Sequence, residues 1–132
     1  MISRRKLLVA SVGAAACTVG ITGPAAAFTI EPYDAAAVKK EIASGKRVVL
    51  HVYAPWCLQC RAQASILSNL ATAKTYDRIA FFRVDYMGQG DIVKELGVPR
   101  STLIAYRGGK EVARMSWGTS TESVENVLKA IL

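Results

Sequence analysis

The alternation of apolar and polar residues divides positions 28–132 into short elements of two kinds. Short apolar runs rich in Val, Ile, Phe and Tyr are typical of strands, whereas apolar residues spaced by three and four are typical of amphipathic helices. Strands are predicted at 28–30, 46–53, 79–85, 102–106 and 111–116, with a turn at 107–110 that makes the last two a hairpin. Helices are predicted at 35–44, 57–74, 91–96 and 120–132. The predicted order is βαβαβαββα, which indicates an α/β fold.

Several boundaries carry local signals. Asp34 is expected to cap the first helix, which should end before Gly45. Thr119 followed by Glu122 has the spacing of a capping box before the last helix. The strand at 46–53 is apolar on both faces, so we expect it at the centre of a sheet that is covered by helices on both sides.

The first 27 residues have the character of an export signal. Basic residues at 4–6 precede an uncharged run at 7–21 that is rich in Ala and Gly, and small residues at 25–27 predict cleavage before Phe28. The run is shorter than the ~20 apolar residues that a membrane-spanning helix needs, so a cleaved signal is favoured over a retained anchor. The paired arginines are typical of a twin-arginine signal, which we favour over a general secretory one. A periplasmic location is therefore expected.

Removal of this segment leaves 105 of the 132 residues, which suits one domain with a single hydrophobic core. The formal net charge of +7 includes the three charges at 4–6, so the remaining domain carries +4. Its basic residues are interleaved with acidic ones and form no stripe with aromatic residues, which gives nucleic-acid binding little support. We expect a monomer with no stable membrane insertion once the signal is cleaved.

The chemistry of the chain is concentrated in Cys57 and Cys60, which lie where the strand at 46–53 gives way to a helix. The free N–H groups and positive dipole end of a helix N-terminus favour a negative sulfur, so the pKa of Cys57 should fall from about 8.5 towards neutral. A thiolate attacks disulfides, and the three-residue spacing lets the second sulfur resolve the mixed disulfide. Half of a zinc site or a structural disulfide are the alternatives. The other cysteine, Cys17, lies in the segment expected to be removed, so a four-cysteine zinc site cannot be assembled.

Over its whole mature length the chain resembles the thioredoxin family. The resemblance rests on Ala54-Pro55-Trp56-Cys57-Leu58-Gln59-Cys60, on Val84-Asp85, on Thr102-Leu103-Ile104-Ala105-Tyr106 and on Gly118. It implies a thioredoxin-like fold, a central mixed β-sheet flanked by helices, with the dithiol at one end. It also implies that Cys57 attacks, that Cys60 resolves and that Trp56 shields the site. The redox-active disulfide between Cys57 and Cys60 would then be the only redox group, with no separate cofactor.

Two departures from the family pattern concern the cysteine surroundings. Leu58-Gln59 stands between the cysteines where general thioredoxins carry Gly-Pro, a dipeptide that tunes the redox potential in this family. His51 stands where the thioredoxin branch keeps a buried acid that helps to deprotonate the resolving thiol. The histidine can serve as a general base for Cys60, or it can be a buried neutral residue satisfied by a backbone carbonyl.

A third departure concerns the position immediately before Thr102, which holds a cis-proline in the family. Here Ser101 precedes Thr102, and Pro99 stands two residues earlier. Either a deletion has moved the proline, or Ser101 occupies its place with an ordinary trans peptide, which we favour. The serine N–H would then be an extra donor facing the site. Trp56, Ser101 and Thr102 are expected to form the edge on which a substrate docks.

The chain is therefore interpreted as a periplasmic thiol–disulfide oxidoreductase that acts on proteins. Its expected partners are protein thiol and disulfide substrates and an upstream redox partner that the sequence does not identify. The alternative is a metal-handling protein that uses Cys57 and Cys60, with or without His51, to carry copper(I) or zinc. A binding module with a merely structural disulfide is a third, non-catalytic interpretation.

Overall fold

Five strands and four α-helices alternate along the described part of the computed structural model, which is Gly20 and residues 28–132. The strands are β1 Ile30–Pro32, β2 Arg47–Tyr53, β3 Ile79–Asp85, β4 Thr102–Arg107 and β5 Lys110–Ser116. The helices are α1 Ala35–Ala43, α2 Leu58–Leu70, α3 Gly90–Leu96 and α4 Thr121–Lys129, and a 3₁₀ turn at Lys74–Tyr76 precedes β3. The predicted order of elements is confirmed. The export signal predicted at 1–27 lies outside the described residues, apart from Gly20, and stays a prediction.

The strands form one mixed sheet in the order β1-β3-β2-β4-β5. β1, β3 and β2 run parallel, whereas β4 is antiparallel to both β2 and β5. The β4–β5 hairpin turns through Gly108 and Gly109, whose φ angles of 62° and 79° are those a tight two-residue turn requires. β2 therefore lies in the middle of the sheet, as its apolar sequence predicted.

Successive residues of β2 point to opposite faces of the sheet and enter two core layers. Val48, Leu50 and Val52 pack with Val38 of α1. Val49 packs on the other face, with Leu67 of α2 and with α4. His51 points to the same face of the sheet as Val49, so a polar side chain lies in the layer that α2 covers.

Helix α2 is shorter than the sequence predicted, since it ends at Leu70 rather than at Lys74. The Thr72 hydroxyl bonds the Asn69 carbonyl at 2.9 Å, and the 3₁₀ turn at Lys74–Tyr76 then buries the Tyr76 ring. The chain thus leaves the α-helix at Leu70 and enters a 3₁₀ turn that buries Tyr76.

The predicted cap of α4 was wrong by one residue. Ser120, not Thr119, is the N-cap, and Ser123, not Glu122, completes the capping box. Each serine hydroxyl accepts the other residue's backbone N–H, at 3.1 and 3.2 Å. The first strand likewise begins later than predicted, because Phe28 stacks on the Phe81 ring instead of pairing.

Candidate active site at the start of helix α2

The two thiols lie where β2 gives way to α2. Cys57 is the N-cap residue of α2, with extended backbone angles, and its sulfur accepts the backbone N–H of Cys60 at 3.2 Å. Cys57 is 2% exposed and Cys60 is fully buried, and both are free thiols. The predicted placement, one cysteine at a helix N-terminus and the other one turn inside, is confirmed.

The surroundings of the two sulfurs shift their pKa values in opposite directions. Burial acts to raise the pKa of Cys57, but hydrogen bonds from Cys60 and the nearby charge of Arg100 hold that pKa below its ordinary value. Burial and the neighbouring Cys57 sulfur raise the pKa of Cys60, against smaller lowering effects from Ala54 and Ser101. Because the thiolate is the reactive form, Cys57 is the more reactive of the pair near neutral pH.

A positive charge that the sequence analysis did not single out lies against Trp56, the residue before Cys57. The guanidinium carbon of Arg100 lies 4.8 Å from the centre of the Trp56 ring and 5.0 Å from that of Trp117. Its Nε is buried and has no hydrogen-bond partner. Trp117 follows β5 and Trp56 follows β2, so this arrangement depends on the fold and has no signature in the spacing of the residues.

Ser101 lies at the dithiol, with a backbone that the sequence did not predict. Its φ is 62°, in the left-handed region, and no cis peptide bond occurs in the described ranges. The expectation that its N–H faces the site is wrong, because that N–H donates to the Val52 carbonyl at 2.9 Å. The same carbonyl lies 3.9 Å from the Cys60 sulfur. The Ser101 hydroxyl is buried without a hydrogen-bond partner, and it is the side-chain group that acts to lower the pKa of Cys60.

Thr102, next along the chain, is fully buried. Its hydroxyl bonds the Pro99 carbonyl at 2.8 Å and the Ser116 hydroxyl at 2.7 Å. These bonds tie the start of β4 to the end of β5. The predicted parts of Ser101 and Thr102 in substrate docking stay predictions.

His51 is bonded to a side chain, Gln63, rather than to a backbone carbonyl. Gln63 Nε2 donates to the carbonyls of Ser101 at 3.1 Å and Gly118 at 2.8 Å, so its Oε1 accepts from His51 Nε2 at 3.0 Å. His51 Nδ1 then keeps the free lone pair, and this atom is buried without a partner. Burial lowers the pKa of His51 to about 4, an effect that Arg83 increases and the Gln63 bond opposes. The histidine is therefore neutral at physiological pH.

The hydrogen bonds of His51 and Cys60 lead to different acceptors, Gln63 for the imidazole and Val52 for the thiol. The role of His51 as a base for Cys60 therefore stays a prediction. The sequence analysis missed Gln63, although a polar residue four positions before Leu67, on the apolar stripe of a helix, is a signal that could have found it.

Three exposed apolar side chains, here called the rim, lie next to Cys57 in sequence or contact Arg100 and Ser101. The rim consists of Trp56, Leu58 and Trp117, which are 54%, 73% and 42% exposed. The Trp56 ring also meets Tyr86 edge to face, with ring centres 6.3 Å apart. Trp56 is thus a surface residue next to Cys57, where a docked partner would touch it.

Over Gly20 and residues 28–132, no three His, Cys, Asp or Glu side chains come together as a cluster that could hold a metal ion. None of the helices in these residues has the length and apolarity needed to cross a membrane.

Comparison with known proteins identifies the family. The thioredoxin family model matches residues 29–130. Thioredoxin-2 of Saccharomyces cerevisiae is 36% identical over 85 residues, which cover 63% of this chain and 75% of that protein. Protein disulfide-isomerase erp38 of Neurospora crassa is 27% identical over 134 positions, covering 97% of this chain and 34% of that protein.

Structural comparison gives the same result. The crystal structure of Trxlp from Edwardsiella tarda superposes with a TM-score of 0.70 at 35% identity, covering 76% of this chain and 98% of that one. The relatives support thiol–disulfide oxidoreductase chemistry in general terms. With its mixed sheet, its Cys-x-x-Cys dithiol at the start of α2 and these matches, the chain belongs to the thioredoxin family.

Proposed function

We propose that the protein is a thiol–disulfide oxidoreductase that exchanges disulfides with other proteins in the periplasm, using Cys57 to attack and Cys60 to resolve. The observation that carries the proposal is the asymmetry of the two sulfurs. The outer sulfur caps α2 and has a lowered pKa, whereas the inner sulfur is fully buried and has a raised pKa.

The exchange follows from this asymmetry in two steps. The Cys57 thiolate attacks one sulfur of a partner disulfide, and the partner's other sulfur leaves as a thiolate. Cys60 then loses its proton, which ends on one of the two released partner sulfurs, and attacks the Cys57 sulfur. This closes the Cys57–Cys60 disulfide and releases the second partner sulfur. The partner gains two electrons and the dithiol loses two. The reverse sequence oxidises a partner dithiol.

Protein substrates are supported by the rim of Trp56, Leu58 and Trp117. These apolar side chains offer a contact area to a chain segment placed over the covered sulfurs. The related erp38 is named a protein disulfide-isomerase, which also points to protein disulfides.

The division of labour between the sulfurs is tested by trapping. The Cys60→Ser variant should accumulate mixed disulfides with a protein substrate such as insulin, because the resolving step is blocked. The matched Cys57→Ser variant should trap almost none, because the attacking sulfur is missing. Non-reducing gels with mass spectrometry measure both, and equal trapping would contradict the assignment.

The periplasmic location depends on residues outside the described ranges. Arg4→Lys with Arg5→Lys keeps the positive charge but removes the arginine pair, so it should abolish export by the twin-arginine route. A general secretory signal would tolerate the exchange. Mass spectrometry of the exported protein should give an N-terminus at Phe28.

Copper(I) or zinc carriage remains the second proposal and has less support. Cys57 and Cys60 could supply two soft sulfur donors, but His51 bonds Gln63 through Nε2. Metal analysis of the reduced, purified protein is the direct test. A stoichiometric metal ion would favour this function over disulfide exchange.

A further inference from the structure

Arg100 is held against Trp56, the residue that precedes the attacking Cys57, by three separate parts of the chain. It lies between the rings of Trp56 and Trp117, at 4.8 and 5.0 Å from their centres. The next residue, Ser101, is anchored through its N–H to Val52 at 2.9 Å, and its carbonyl accepts the Trp117 N–H at 2.8 Å. The guanidinium is therefore confined between two rings on a tethered backbone rather than free to move in solvent.

The charge of Arg100 has no acidic partner in the part of the chain that the structure describes. The ion pairs there are Lys46–Glu41, Arg114–Glu111 and Lys129–Glu125. The Nε of Arg100 is also buried without a hydrogen-bond partner. The two tryptophan rings stabilise the guanidinium charge, but its unused Nε donor would be satisfied further by an anion that forms nearby.

The anion that forms nearby is the thiolate of Cys57. We propose that Arg100, held between Trp56 and Trp117, is the electrostatic partner of the Cys57 sulfur and activates it for attack. This inference rests on the proposed function of the dithiol. In the attack, the Cys57 sulfur forms the new S–S bond, the partner's S–S bond breaks and the negative charge leaves on the partner's sulfur. Arg100 exchanges neither a proton nor an electron.

The other groups around Cys57 do not supply this charge. Its titratable neighbours are the Cys60 thiol, which is neutral before attack, and the phenols of Tyr53 and Tyr86, which pack against the two cysteines. Arg61, adjacent to Cys60, is exposed and is not among the groups that shift the pKa of Cys57. Arg61 therefore provides a matched control, an arginine of equal charge close to the dithiol in sequence.

The test is the pH dependence of alkylation of Cys57 by iodoacetamide in the reduced full-length protein, followed by peptide mass spectrometry. Arg100→Gln should slow alkylation at pH 6 by about three- to five-fold, because the ten-fold loss of thiolate per pKa unit is partly offset by the greater nucleophilicity of a less acidic sulfur. At pH 10, where the thiol is ionised in either protein, the variant should be as fast as the wild type or up to about three-fold faster. Arg100→Lys should restore most of the rate at pH 6, and Arg61→Gln should leave it within about two-fold.

Arg100→Met gives a second neutral variant whose unbranched side chain still fills the space between the two rings, so it tests the charge even where the glutamine variant does not fold. The proposal would be overturned if the wild type and Arg100→Met had the same pH profile of alkylation. It would also be overturned if Arg61→Gln displaced that profile as far as Arg100→Met does. Alkylation needs no protein substrate, so it measures the effect of Arg100 on Cys57 separately from disulfide exchange. If the Arg100 variants displace the alkylation profile but the wild-type protein fails to reduce insulin, the effect of Arg100 on Cys57 stands and disulfide exchange with proteins is rejected.

Discussion

Acid should destabilise this protein through its one histidine. His51 has a pKa of about 4 when folded, compared with 6.5 when unfolded, because burial disfavours its charged form. Between these two values the unfolded chain binds a proton that the folded chain does not, so stability is fully present above pH 6.5 and falls as the pH is lowered. The loss amounts to about 2 kcal/mol at pH 5 and levels off near 3 kcal/mol below pH 4.

The assay is urea unfolding of the reduced protein at several pH values between 8 and 5, compared with His51→Leu. The leucine variant should have lost this pH dependence, whatever its absolute stability. Every other ionisable side chain is present in both proteins, so the difference between the two slopes isolates His51, the only histidine in the chain. Parallel slopes in the two proteins would refute the neutral, buried assignment of the imidazole.

Four further changes near the dithiol have measurable effects. In a double-mutant cycle at pH 8, His51→Leu and Gln63→Leu should couple by about 1–2 kcal/mol, because each single change leaves a buried polar partner unpaired; additive urea-unfolding energies would contradict their hydrogen bond. Ser101→Gly should raise the free energy of unfolding by about 1 kcal/mol, since glycine adopts a φ of 62° freely. Ser101→Pro should lower the free energy of unfolding by about 3 kcal/mol or more, because proline fixes φ near −65° and removes the N–H bond to β2. Equal urea midpoints for the wild type and the two Ser101 variants would disprove the positive φ at this position. Gly118→Ala should lower the melting temperature, because a Cβ there would come within 2.5 Å of the Met115 sulfur, and an unchanged melting curve would count against this packing.

The sequence predicted what depends on local pattern. The strand and helix order, the central place of β2, the Asp34 cap and the position of Cys57 at a helix N-terminus all follow from periodicity and capping residues within a few positions. The end of α2 did not follow, because residues 71–74 contain no glycine or proline that would mark it.

The parts of the site that sequence reasoning missed are those assembled from distant segments. Gln63 connects His51, Ser101 and Gly118, which lie up to 55 positions away from it along the chain. Arg100 contacts Trp56 and Trp117 only in the folded chain, where β2 and β5 bring the two rings together. The left-handed φ of Ser101 was likewise not apparent, because a serine carries no conformational signal of the kind that glycine does.

The cap of α2 has a consequence for the thermodynamics of the whole domain. The atom that accepts the Cys60 N–H is the same sulfur that gives up electrons, so oxidation changes the charge and bonding of a helix cap. The stability of the fold and the reduction potential are then two sides of one thermodynamic cycle. Each 1.4 kcal/mol by which the reduced fold is more stable than the oxidised one corresponds to about 30 mV of potential. A comparison of the unfolding energies of the two forms, referred to the potential of the unfolded chain, therefore measures how oxidising the dithiol is.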